Sequence, residues 1–432
     1  MPIYEKTGGA APVYDTVVCG GGPSGWIAAI SAAREGEKVA LIERFGFFGG
    51  AATANFVVPI SGFYKNGQRV IGGIAWEFIE KLLEEKAALI ELPKGHISVN
   101  TEYYKLIAQR MVLASGVHVY CNSYLSGAIC EDGTIQAVTV CNKGGTQTIY
   151  GRCFIDATGD GDLCKLANAP VIVHDVMQPL SLCFTLSGVD ITTPLLKDCI
   201  HHKGINGAPS CNGVIRAYLD TLYAKGEAPM FGGPWFNTMV NGDDIAVNIT
   251  RSVASVLDND AYSTAEFQMR EDMFKLVELL KQGFAEFRSC AISASANNAG
   301  VREGRHLVGI HTLTGDELQN PEMIPDPIAL AAHPIDIHKT DGSGQILKQT
   351  KEAGRIPYRA MVTHEVRNLI AAGRIISADS EAFASIRVQG TCMATGEAAG
   401  VAAALCSGQN CAAHEVRYDE LRDILLSRGA VL

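Results

Sequence analysis

No Cys-x-x-Cys spacing occurs anywhere in the chain, although it holds thirteen cysteines. The odd count and the scatter argue against a closed disulfide framework or a cysteine metal site. Many cysteines sit inside strand-like runs, such as Val17-Val18-Cys19 and Val119-Tyr120-Cys121, where buried reduced thiols acting as small hydrophobes are expected. No Fe–S ligand spacing is present either. Long Lys/Arg runs are missing and the net charge is −10, so nucleic acid is not expected as a partner. Every apolar stretch is broken by Gly, Ser or charge well before ~18 residues, so no membrane span is expected. The start, MPIYEKTGGAAPVYD, lacks a basic segment followed by an apolar run. A secretory signal is therefore not expected, and the chain reads as soluble and cytoplasmic. No internal repeat is evident. No metal ligands are assigned: Asp160-Gly161-Asp162 has no further ligand cluster at useful spacing.

What is present is an ordinary globular balance, 47% hydrophobic and 19% charged over 432 residues. That length accommodates two or three domains at roughly 150 residues each. Tyr14 to Cys19 reads as a short buried strand, and Gly20-Gly21-Gly22-Pro23-Ser24-Gly25 follows at once. A helix is expected from Trp26 to Glu35, ended by Gly36, and then a second strand, Lys38 to Ile42, closed by Glu43. Strand, GxGxxG, helix, strand and acid form a dinucleotide-binding βαβ unit. Gly20 turns the chain out of the strand, Gly22 clears room for a pyrophosphate, and Gly25 lets the helix pack close to the sheet. The helix N-terminus offers free N–H groups to phosphate, and the Glu43 carboxylate suits a ribose diol. The fingerprint alone does not separate NAD from FAD.

Beyond it, Gly46 to Gly62 is a glycine-rich, weakly charged loop. Helices are expected over Ala75 to Lys86 and from Thr101, as N-cap, to Gly116. A β-meander follows in VHVYCN, YLSGAICE, TIQAVTVC and TQTIYGRCFIDA, the last ending in Thr158-Gly159 at the ligand-binding edge of an open sheet. From about Val171 to Gly354 the βαβ rhythm is lost; strands Leu180–Gly188 and Ile245–Ile249 and a long helix, Ala261 to Phe287, are expected there. Asn368 to Arg374 returns as a buried strand, and a small-residue helix begins at Gly390.

Together GGGPSG with Glu43, IDATGDGDL, HPIDIH, NLIAAGRIISAD and RVQGTCMATGEAAG resemble the FAD-dependent oxidoreductase family of the glutathione-reductase-like superfamily. The likeness spans nearly the whole chain, with weaker anchoring between Val171 and Ala291. It implies an α/β fold: a Rossmann-like FAD-binding domain with a β-meander (1–60, 100–172 and 355–432) and an inserted α+β substrate or cap domain (61–99 and 173–354). By position, Gly20, Gly22, Pro23, Ser24 and Gly25 would hold the FAD pyrophosphate, and Glu43 and Arg44 would meet the adenosine ribose. Gly49, Gly50 and Ala51 would run near the pyrophosphate and flavin, and Thr158 and Gly159 beside the adenine half. Asp379 would bond near the ribityl or pyrophosphate portion, and Met393 would present its backbone N–H to the flavin. No His precedes His96, so the FAD is expected to be noncovalent. A second GxGxxG is missing, so electrons are expected to come from the substrate, or to leave to oxygen or an electron-acceptor protein.

The implied chemistry is hydride transfer between a small polar or anionic metabolite and flavin N5, as in a dehydrogenase. Arg302 and Arg305 suit either a clamp on a carboxylate or phosphate or an Arg–Glu network between domains. If His333 to His338 is extended, Asp336 and His338 share a face and form an oriented base or a structural pair. Arg387 and Gln389, just before the final helix, face flavin or substrate; Cys392 is expected to pack. The pair His201-His202 reads as solvent-facing. Two rival readings remain: a flavin-carrying electron-transfer subunit, and a non-redox FAD or NAD enzyme related to thiazole synthases. The sequence leaves the oligomeric state open, a homo-oligomer included.

Overall fold

Continuous apolar runs mark strands covered on both faces. Val39–Ile42 is such a run, and Val13–Cys19 becomes one from Val17 onward; both strands lie inside a seven-stranded sheet in the computed structural model, which describes residues 13–92, 95–196 and 211–432. The strand order is His118–Tyr120, Val39–Ile42, Val13–Cys19, Gly145–Asp156, Thr134–Asn142, Tyr124–Glu131. The first four run parallel; the last two are antiparallel neighbours. Gly145–Asp156 joins the two regimes. Its first half pairs with the meander, and its second half pairs with Val13–Cys19 and with the late strand Leu369–Ala371. The carboxyl ends of the parallel strands therefore meet at Cys19, Ile42, Asp156 and Ala371, where open α/β sheets bind ligands.

The helix Pro23–Arg34 packs along Gln389–Gln409. Small residues make this possible: a Cβ on Gly396 would lie 2.2 Å from the Ser24 carbonyl oxygen, and one on Gly400 would lie 2.4 Å from that of Ala28. Ser31 Oγ donates to the Glu397 carbonyl at 2.8 Å, tying one helix's side chain to the other's backbone.

A second, four-stranded antiparallel sheet runs Phe231–Thr238, Ile245–Thr250, Phe184–Ser187, Ala291–Ser295. It has its own apolar cluster, including Leu186, Leu219, Phe236, Leu276, Leu280 and Phe287, to which the helices Cys211–Ala224 and Asn259–Gly283 contribute. Residues 61–99, grouped above with this part, instead bury Ile71, Ile74, Phe78 and Leu82 in the main core. No helix among the described residues is long and apolar enough to cross a membrane.

Several local expectations shift. Asn100, not Thr101, caps its helix, accepting from the amides of Glu102 and Tyr103 at 3.0 and 3.2 Å. Strand pairing near Leu180 consists of isolated bridges, Leu180 with Ser252 and Ser181 with Gly300, and the regular strand is Phe184–Ser187. The long helix ends at Gly283, where Phe284 turns extended before a short 3-10 turn, Ala285–Phe287. His201-His202 lies outside the described residues.

Candidate cofactor and substrate site

The glycine turn has the form its sequence requires. Gly20 has φ 101°, and a Cβ there would meet the Ala157 carbonyl oxygen at 2.3 Å. A Cβ on Gly25 would sit 1.8 Å from the Gly20 oxygen. Gly22 is different: nothing lies within 4 Å of a Cβ built on it. It is the N-cap residue, with no side-chain cap, and Pro23 begins the helix with Ser24 buried behind it. Pro23 has no N–H and the Gly25 amide donates to the Gly22 carbonyl at 3.0 Å, so in the first turn the Ser24 amide is the one left for a ligand, with the helix dipole behind it. Glu43 Oε2 accepts from the Gly21 amide at 2.6 Å and Oε1 from Phe45 at 2.8 Å; burial raises its carboxyl despite these bonds. Arg44 extends over the Phe45 ring. The Gly49 amide donates to the Gly21 carbonyl at 3.0 Å, stitching the Gly49-Gly50-Ala51 loop to the turn, with Gly50 against Gly22 and Pro23. Thr158 Oγ1 donates to buried Asp156 at 2.7 Å, and Gly159 lies against the guanidinium of Arg374, which bonds Asp160 at 2.8 Å.

Two residues assigned to the cofactor by resemblance have backbone partners within the chain. The C-terminal helix starts at Gln389, so Met393 is one turn inside it and its amide belongs to the i→i−4 ladder. The Gly390 amide donates to the Ser61 carbonyl at 3.1 Å, which leaves the amides of Gln389 and Thr391 as those a helix start offers. Asp379 caps the helix Ser380–Ile386, accepting from Ala382 at 2.7 Å and from Gly315 at 3.0 Å. Its carboxylate holds two segments together. Gly373, by contrast, lies directly against the Ser24 side chain, which puts Gly373-Arg374 beside the glycine turn.

A second polar cluster forms where strand Ile335–His338 meets the start of that helix. Asp336 and His338 do share a face: His338 Nε2 is 3.1 Å from Asp336 Oδ2. Arg387 Nη2 lies 3.4 Å from the same oxygen. His338 Nδ1 faces Arg251 Nη2 at 3.2 Å, and Trp235 packs edge-on against the ring. Since Arg251 can only donate and Asp336 only accept, Nε2 carries the hydrogen and Nδ1 accepts. Both ring nitrogens of His338 are spoken for, which removes it as a free base. Burial, then Arg302, press it down to about 3 despite Asp336. Burial pushes the Asp336 carboxyl up, but the His338 hydrogen bond and Arg387 outweigh it and hold it well below the carboxylate range. His333 differs: its Nδ1 donates to the Pro334 carbonyl at 2.8 Å, leaving Nε2 with its lone pair. Burial and Arg387 lower it to about 4.

Arg302 and Arg305 diverge and form no shared clamp. Arg302 donates to the Pro179 carbonyl and to Ser181 Oγ, the latter at 2.9 Å, and turns toward Arg387 and Arg251. Arg305 bonds Asp162 at 3.2 Å on the turn after Asp156. Glu303 pairs with His174 at 2.6 Å instead of an arginine. Arg251 was not singled out by sequence; the available signal was a charge placed directly after the largely buried strand Ile245–Thr250.

The family described as FAD dependent oxidoreductase matches residues 15–425. The chain belongs to that family, and its cofactor is FAD. Two solved structures share the fold. A geranylgeranyl bacteriochlorophyll reductase-like protein from Thermoplasma acidophilum is 12% identical, with 97% of this chain and 84% of that chain covered and a TM-score of 0.50. The flavin-dependent brominase Bmp2 is 11% identical, with 95% and 83% covered and a TM-score of 0.52. No curated protein matches. The residues fit FAD. Gly22 leaves open space at the turn. Gln389 Oε1, Thr391 Oγ1, Arg387 Nε and Asp336 Oδ1 are buried with no hydrogen-bond partner among the described residues, all at or beside the start of the C-terminal helix.

Proposed function

We propose that this member of the FAD-dependent oxidoreductase family transfers a hydride between a carbon of a small anionic metabolite and flavin N5, in the manner of a dehydrogenase. One observation carries the reading: three guanidiniums, Arg251, Arg302 and Arg387, stand around a single carboxylate, Asp336, and two imidazoles held neutral. An excess of buried positive charge selects against cations and is relieved by an anion. Bound FAD supplies the two-electron acceptor. The chain supplies binding, orientation and proton handling.

Arg387 and Arg302 are the groups we assign to the substrate anion. Guanidinium forks pair bidentately with carboxylate or phosphate. Arg251 is tied by one nitrogen to the carbonyls of Lys339 and Gly342 and acts mainly as a fixed charge and as the brace of His338. Asp336 and His338 orient Arg387. His333 Nε2 is the assigned proton acceptor, because its other nitrogen is fixed by Pro334. A substrate anion that neutralises Arg387 also lifts one of the two main pressures on that imidazole. The free amides of Gln389 and Thr391, with the helix dipole behind them, stabilise negative charge developing on a reduced flavin.

The test is titration of the oxidised FAD-loaded protein with mono- and dicarboxylates and with neutral amides of the same shape, read by perturbation of the flavin band. Acids should bind and the amides should not. Arg387→Met should weaken acid binding by about 10² or more, as removal of a charged hydrogen-bond partner does. Equal binding of acid and amide defeats the reading.

A further inference from the structure

The two-residue strand His306–Leu307 pairs antiparallel with Val171–Ile172, with His306 opposite Ile172. That pairing gathers two imidazoles and a carboxylate from distant parts of the chain: His174, Glu303 and His306. The imidazole centroids are 4.6 Å apart, and Phe383 packs edge-on against His306, also at 4.6 Å. Glu303 Oε1 is 2.6 Å from His174 Nδ1 and 3.6 Å from His306 Nε2. One ligand atom from each residue lies within 4.8 Å of the others. First-row divalent ions hold nitrogen and oxygen at about 2.0–2.2 Å, which sets neighbouring ligand atoms roughly 3 Å apart. The observed spacings bracket that value.

A second observation is independent of the spacing. His306 is 1% exposed, and neither of its ring nitrogens has a hydrogen-bond partner among the described residues. A proton on His174 Nδ1 bridges that ring to Glu303 but does nothing for His306. An imidazole with donor and acceptor both unmade in a core is costly, and an ion bound at Nε2 removes half of the deficit. The outer contacts also suit an ion. The Ala378 carbonyl accepts from His174 Nε2 at 3.2 Å, which turns Nδ1 toward Glu303, and the Gln178 amide holds Glu303 Oε2 at 2.8 Å, leaving Oε1 to face the two rings. Metal-bound histidines and carboxylates ordinarily have such partners; His174 and Glu303 have them, and His306 does not.

We propose that His174, Glu303 and His306 bind one first-row divalent transition-metal ion through two imidazole nitrogens and one carboxylate oxygen. Calcium and magnesium, which favour all-oxygen sites, are excluded by the ligand set; zinc, iron, manganese and cobalt fit it. The ion fastens the Val171–Ile172 and His306–Leu307 pairing. Three protein ligands leave further positions for water, and His174, with 10% of its side chain exposed, forms the edge by which an ion enters. None of this depends on the substrate assigned above.

The experiment uses the FAD-loaded chain freed of metal by chelation, then titrated with Zn²⁺ by calorimetry. One ion per chain is expected. His306→Gln should weaken Zn²⁺ by about tenfold or more while the protein keeps its flavin absorbance. Failure of the wild type to bind one ion overturns the proposal, and so does equal binding in His306→Gln, which would hand the ion to the thiols. Co²⁺ loading of the wild type decides the same point without a variant. Ligand-field bands without a sulfur-to-cobalt charge-transfer band are expected, and a thiolate band overturns the assignment.

Discussion

Gly22 and Gly25 lie three residues apart in one motif, yet the structure gives them opposite consequences on substitution. At Gly22 the backbone is extended, φ −67° and ψ −174°, which any L-residue adopts, and the space around a new Cβ is open. Gly22→Val should therefore leave the apoprotein folded. The loss should fall on FAD, because the new side chain fills the space in front of the helix N-terminus. Each charge-assisted hydrogen bond to a phosphate contributes about 1.5–3 kcal/mol, so losing the one to the Ser24 amide raises the FAD Kd by roughly 10–10². At Gly25 a Cβ would stand 1.8 Å from the Gly20 oxygen. Gly25→Ala must push the helix off the sheet, at about 1–3 kcal/mol or more for an overpacked core, and lowers the melting temperature even without FAD. The assays are flavin retained after desalting and calorimetric melting of the apoproteins. Wild-type FAD affinity in Gly22→Val would refute the placement of the pyrophosphate.

Acid should destabilise the protein through His338. Its folded pKa is depressed below the unfolded value, so the unfolded state takes up the extra proton and stability falls as pH drops below ~6.5. Between pH 7 and 5 this amounts to about 2 kcal/mol, an upper figure; denaturant unfolding of His338→Gln should show a correspondingly smaller pH dependence, and an identical one counts against a buried neutral imidazole. Glu397 behaves in the opposite sense. Buried within the C-terminal helix and accepting, among the described residues, from the Ile74 amide alone, it is raised to about 7, so stability is lost as pH rises from the unfolded value through 7. Glu397→Gln keeps an acceptor for that amide and should stabilise the protein at pH 8 by about 2–3 kcal/mol at most, with the gain gone at pH 4; a variant no more stable at pH 8 refutes the raised pKa of Glu397. Asn100→Ala should cost about 1 kcal/mol in melting experiments through loss of the helix cap and leave FAD content unchanged; a matching loss from Thr101→Ala instead would restore the sequence-based cap.

The parts legible in sequence were those governed by local rules. Gly20, Gly22, Gly25 and Glu43 sit in a contiguous strand–turn–helix–strand, and period two alone put Asp336 and His338 on one face. Met393 was displaced because helix starts are set by where the ladder begins, and Val388 rather than a polar cap precedes Gln389. Asp379 was assigned to the cofactor by resemblance alone, and its place before Ser380 also marks it as the N-cap it forms. Arg251 and the His174–Glu303–His306 group depend on strands paired across long separations, which no local pattern encodes. His338 as a base failed for a related reason: the partner that occupies Nδ1 comes from the other sheet.

Anaerobic reduction of the flavin tests the account most directly. The oxidised protein, without nicotinamide and without oxygen, is mixed with a panel of hydroxy, amino and saturated dicarboxylic acids, and the flavin band is followed. The account predicts bleaching by an organic acid, lost or slowed in Arg387→Met and in His333→Ala with FAD still bound. A flavin that every acid leaves oxidised, and that only a reduced nicotinamide bleaches, would contradict it.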